Sequence, residues 1–85
     1  MEIDDIQTRL LEYFKDQGKI VAPGDNLFAT DVIDSMGVIE LVLFSEETLG
    51  VELDQSVMTK GNFETLEKIA WTIYSTSRQT GLADN

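Results

Sequence analysis

The chain contains no cysteine and no histidine. The first absence excludes a disulfide and a zinc–thiolate site. The second removes the commonest general base, the commonest metal ligand and any Ser–His–Asp relay. Catalysis here would have to rest on carboxylates. A paired-carboxylate hydrolase needs two acids in an enclosed cleft with their pKa values pushed apart, and 85 residues leave little room for one. Basic residues are also scarce. Six stand against sixteen acids, for a net charge of −10. Such a surface repels phosphate backbones and anionic lipid, so neither nucleic acid nor membrane is an expected partner. It attracts basic proteins, and its self-repulsion points to a monomer. No apolar run approaches the roughly 20 residues that span a bilayer. The acidic start Met1-Glu2-Ile3-Asp4-Asp5 does not read as a secretory signal, so a cytoplasmic location is expected.

What is present suits one small globular domain over residues 1–85, with about 79–85 as a frayed tail. The apolar fraction of 42% is that of a chain with a core, despite the charge. Ile3, Ile6, Leu10, Leu11, Tyr13 and Phe14 recur at steps of three and four, which predicts an amphipathic helix from Ile3 to about Asp16. Gly18 is its expected stop. Residues 18–34 read as a long connection around the single proline, in Ala22-Pro23-Gly24-Asp25-Asn26. Ile20, Val21, Leu27, Phe28, Val32 and Ile33 punctuate it, so it is expected to pack across a helical core. A second helix is expected from Ser35 to about Leu49, closed by Gly50.

Val51-Glu52-Leu53 reads as extended loop, Asp54 to Met58 as a single helical turn, and Lys60-Gly61-Asn62 as a break. Leu66, Ile69, Ala70, Ile73 and Tyr74 then give a last helical stripe capped by Thr65 and fading near Arg78. Trp71 is most simply core. The fold class is all-α, three long helices plus one short one, with a long first loop.

The second helix divides the chain's chemistry. At 100° per residue, Val38, Leu41, Val42, Ser45 and Leu49 share an inner side, while Met36, Ile39, Glu40, Leu43 and Glu47 share the other, with Glu46 at its edge. The hydroxyl of Ser45 is expected to bond back to the Leu41 carbonyl. The outer side reads equally as a solvated surface or as a docking face of apolar anchors within an acidic rim. Asp34 and Ser35 stand at the helix entrance, where an acid or a hydroxyl most often only caps the helix. Asp25, Asp31 and Asp34 do not match the calcium-loop spacing, and no metal site is expected.

Asp34-Ser35-Met36-Gly37-Val38-Ile39-Glu40-Leu41 resembles the motif of the acyl carrier and peptidyl carrier protein superfamily, where an Asp-Ser-Leu-type sequence opens the second helix of a four-helix bundle. The likeness continues through Leu27-Phe28, through Glu46-Glu47-Thr48-Leu49-Gly50-Val51-Glu52-Leu53, and through Asn62-Phe63-Glu64-Thr65-Leu66-Glu67-Lys68-Ile69-Ala70. The resemblance implies that Ser35 carries 4′-phosphopantetheine, delivered from coenzyme A by a phosphopantetheinyl transferase. It further implies that an acyl or aminoacyl group rides on the arm as a thioester. Loading would fall to a ligase and use to a downstream transferase or synthase, the chain itself being no enzyme. Asp34, Met36, Ile39, Glu40, Leu43, Glu46 and Glu47 would face those partners. Met36-Gly37 departs from the Leu-Asp or Leu-Gly of many fatty-acid carriers. Val57-Met58-Thr59-Lys60-Gly61-Asn62-Phe63 is closer to free-standing carriers of amino acids or specialised metabolism. The expected function is therefore a stand-alone carrier, with a fatty-acid carrier or an acidic interaction module without prosthetic group as alternatives.

Overall fold

Ile6, Leu10 and Phe14 are buried at steps of four along α1 (Ile3–Asp16), where one face of a helix repeats. The Asp5 carboxylate accepts from the Glu2 backbone N–H (3.2 Å) at its start. At its end Gly18 takes φ +78°. There the Gly18 N–H donates to the Lys15 carbonyl and the Lys19 N–H to the Phe14 carbonyl, both at 2.9 Å. This is a Schellman closure, and the left-handed residue it needs is the glycine. The structure, a computed structural model, describes residues 1–83, and side-chain surroundings through Arg78.

Two further helices, α2 (Ser35–Thr48) and α3 (Leu66–Ala83), complete the set. Among the described residues the fold is all-helical, with no strand. Leu66, Ile69, Ala70 and Ile73 bury one stripe of α3, and α3 packs chiefly on α1. Leu41 and Ser45 of α2 are buried in the core, as is Leu49 just past its end. Fully burying each such aliphatic side chain contributes about 1.5–3 kcal/mol relative to leaving it exposed.

The long connection lies across this core. Val21, Leu27 and Ile33 are buried in it. Its backbone is tied to the start of α3 by Leu27 N–H to the Glu64 carbonyl (2.7 Å) and by Glu67 N–H to the Pro23 carbonyl (3.2 Å). The Asn26 side chain accepts from the N–H groups of Phe28 (3.1 Å) and Ala29 (3.0 Å), an Asx turn.

Four expectations need correction. No fourth α-helix forms in the connection after α2. The single helical turn expected at Asp54 to Met58 is a 3-10 turn, Gln55–Val57, and a second, Gly61–Phe63, stands where a break was expected. Asp54 caps the first turn through the Ser56 N–H (3.2 Å) and hydroxyl (2.6 Å). The backbone leaves helical geometry at Met58, so too few residues remain to offset the cost of helix nucleation. The Asn62 amide donates to the Val57 carbonyl (2.9 Å) and the Thr59 hydroxyl accepts from the Asn62 N–H (3.2 Å). These bonds satisfy the connection without a helix.

Trp71 is outside the core, 60% exposed. It lies about 200° around the helix from both Ile69 and Ile73, at 100° per residue. The buried Ser45 hydroxyl donates to the Val51 carbonyl at 2.8 Å, not to Leu41. The Val51 backbone returns over α2 and brings a carbonyl that needs a donor away from water. Finally, α3 does not fade at Arg78. It continues to Ala83 through Gly81, although glycine within a helix costs about 1 kcal/mol relative to alanine. Of the expected tail, Asp84 and Asn85 lie outside the described residues.

Candidate functional site

The entrance of α2 is built by three neighbours with separate tasks. Asp34 has extended backbone and its carboxylate accepts from the Gly37 N–H at 2.9 Å, so the cap belongs to Asp34. Ser35 is the first helical residue, exposed at the surface, and its hydroxyl is not the cap. Gly37 lies close beneath the incoming loop. A Cβ there would stand 3.1 Å from the Cβ of Ile33, tighter than ordinary packing. The buried Ile33 thus fixes the approach of Asp34-Ser35 to the helix. Asp31, just upstream, holds φ +59°, a left-handed conformation that Asp tolerates better than most residues.

The residues expected to face partners are all brought to the surface of α2. Asp34, Glu40, Glu46 and Glu47 are exposed, as are Met36 (61%), Ile39 (47%) and Leu43 (49%). Leu41 and Ser45 are buried on the opposite side, with Val38 and Val42 half-buried. No group of acids suited to hold a metal ion occurs among the described residues. No helix among them is long and apolar enough to cross a membrane.

Two clefts flank Ser35. One, of about 300 Å³, is lined by Phe28, Ser35, Val38, Ile39, Met58, Thr59 and Lys60. Its surface is predominantly apolar, and the Lys60 ammonium lies 5.3 Å from the Phe28 ring centroid. The other, of about 230 Å³, runs under Met36 and Glu40 toward Asp31, Asp34 and Lys19. The Lys19 ammonium donates to the Val32 carbonyl there (2.8 Å), which ties the loop down. Sequence reasoning placed Phe28, Met58 and Lys60 near no site. Phe28 is in the first loop and the other two follow the first 3-10 turn. No local spacing announces that these segments meet.

No family model matches the chain. D-alanyl carrier protein 2 of Lactiplantibacillus plantarum (strain ATCC BAA-793 / NCIMB 8826 / WCFS1) is 32% identical to it over 78 residues. The alignment takes in 88% of this chain and 98% of that relative. The chain belongs to the acyl and peptidyl carrier protein family. It is a carrier, whose role is to present cargo to partner enzymes. Carriers of this family generally bear phosphopantetheine. The residues at the α2 entrance suit that group, because an exposed primary hydroxyl stands at a helix N-terminus beside an apolar cleft with one cation. A phosphodiester is favoured at such a helix end by the dipole and the unpaired N–H groups.

Proposed function

We propose that this chain is an aminoacyl carrier modified with 4′-phosphopantetheine on Ser35. The observation that carries the reading is the division of labour at the α2 entrance. Asp34 supplies the cap, so the exposed Ser35 hydroxyl can react without opening the helix. In the modification, the Ser35 oxygen attacks the pyrophosphate of coenzyme A. A Ser35 O–P bond forms, a pyrophosphate P–O bond breaks, and adenosine 3′,5′-diphosphate leaves. A base of the phosphopantetheinyl transferase takes the hydroxyl proton, since this chain has no histidine for the purpose. The arm ends in the thiol that a cysteine-free chain lacks, and cargo is held there as a thioester.

An amino acid is the favoured cargo. The similar protein from Lactiplantibacillus plantarum is named for a D-alanyl group. A ligase would load the arm and a transferase would unload it, so the carrier performs no chemistry of its own. Met36, Ile39 and Leu43 form the apolar centre of the partner face, and Asp34, Glu40, Glu46 and Glu47 its acidic rim. This pattern steers basic partners and anchors them once docked.

Intact-mass spectrometry after treatment with coenzyme A and a broad-specificity transferase tests the attachment. One phosphopantetheine adduct is expected on the wild type and none on Ser35→Ala. An unmodified wild type, or a modified Ser35→Ala variant, refutes the assignment.

A further inference from the structure

Of the six basic residues in the chain, Lys60 alone lines the cleft shared with Ser35. Its ammonium rests over the Phe28 ring. The single ion pair among the described residues joins Lys68 to Glu64 (3.4 Å), so Lys60 has no carboxylate partner. No acidic residue lines this cleft; Asp34 and Glu40 line the other one. Lack of an acid partner is shared with other cations of the chain; what sets Lys60 apart is its place in the cleft with Ser35. The first 3-10 turn precedes Met58-Thr59-Lys60 and the Asn62–Val57 bond (2.9 Å) brackets them. These three residues line the cleft together with Phe28.

We infer that Lys60, Phe28 and Met58 form a seat for the arm on Ser35, with the Lys60 ammonium paired to the phosphodiester and the apolar wall receiving the branched dimethyl segment next to it. The inference rests on the Ser35 assignment. Charge supports it, because the phosphodiester adds an anion to an already acidic surface and Lys60 is the cation within the same cleft. Shape supports it as well. Phe28, Val38 and Met58 offer an apolar wall of the kind that takes up a compact hydrocarbon group, and methionine adapts to its outline. The arm then lies against the protein between encounters, and a partner must lift it out. Lys60 is a positioning residue in this scheme, acting before any partner arrives.

The test uses the full chain in its modified form, as wild type, Lys60→Gln and Lys60→Arg. Intact mass first establishes that Ser35 carries the arm. Nuclear Overhauser contacts from the arm's methyl groups to the Met58 methyl and the Phe28 ring are then measured together with the phosphorus chemical shift. The wild type is expected to show these contacts at low salt and to lose them as salt rises. In Lys60→Gln their intensity should fall about two- to fivefold, the change in population that one exposed ion pair supports. Lys60→Arg should restore them, and amide spectra should show the fold unchanged in all three. A modified wild type without contacts to Phe28 and Met58 overturns the seat while leaving Ser35 as the attachment point. Contacts and phosphorus shift unaltered in Lys60→Gln overturn the role of Lys60. Failure of modification in the wild type overturns both readings at once.

Discussion

Asp34 serves the helix and the site together, and the two duties can be separated by substitution. Its carboxylate accepts from the Gly37 N–H at 2.9 Å, and no other acid lies in the first turn of α2. Asp34→Ala removes the acceptor and leaves the first turn uncapped, which costs about 1 kcal/mol, within a range of roughly 0.5–2. For a domain of this size the melting temperature should fall by about 4–8 °C per kcal/mol. Asp34→Asn keeps an oxygen in the same place, and asparagine ranks with aspartate as a cap. Its melting temperature is therefore expected within roughly 3 °C of wild type, a shift of at most about 0.5 kcal/mol. Thermal unfolding by circular dichroism measures this pair, and the rate of coenzyme A-dependent modification measures the other duty. If the charge of Asp34 recruits the transferase, Asp34→Asn slows modification as Asp34→Ala does while keeping its stability. Equal loss of stability in both variants, or no loss in Asp34→Ala, would refute the capping argument.

Two further outcomes follow from residues away from Ser35. Ser45→Ala leaves the buried Val51 carbonyl without the hydroxyl that donates to it at 2.8 Å. Urea unfolding should show a loss of about 1–3 kcal/mol, with the modification rate unchanged once the protein is folded. Asp54 is held below the ordinary carboxylate pKa, first by the Ser56 hydroxyl and then by the Ser56 N–H. A depressed folded-state pKa means that the stabilising contribution is complete above the unfolded-state value and is lost as pH falls through the folded one. NMR titration of Asp54 should move toward the ordinary value in Ser56→Ala, and an unmoved titration would remove the hydroxyl as the main cause.

Local pattern was enough to locate the helices. The steps from Ile3 to Phe14 and from Leu66 to Ile73 are bound to bury one stripe each, because a helix repeats its face at 3.6 residues. Gly18 and Gly50, with φ +78° and +72°, mark helix ends because side-chain-bearing residues resist that conformation. The same periodicity set the outer side of α2 apart from its core side before any coordinates. Where the reading failed, a distant segment decided the outcome. Ser45 turned to Val51 because a carbonyl from beyond the helix needed a donor in the core. Trp71 was assigned by its apolar character, yet its angle from Ile69 sends it outward. The short helix gave way to 3-10 turns once side chains of Asp54, Thr59 and Asn62 competed for the backbone.

The sequence by itself determined the helical class, the acidic surface and the position of Ser35 at the start of a helix, since each depends on neighbours within a turn or on summed charge. Only the tertiary structure decided that Asp34 is the cap, that Gly37 must stay small beneath Ile33, and that Phe28, Met58 and Lys60 meet Ser35 around one cleft. The physical reason is range. Periodicity and capping act over three or four residues, whereas the cleft exists because a loop and a pair of 3-10 turns are each pinned to the same core by hydrogen bonds and burial that no local pattern encodes.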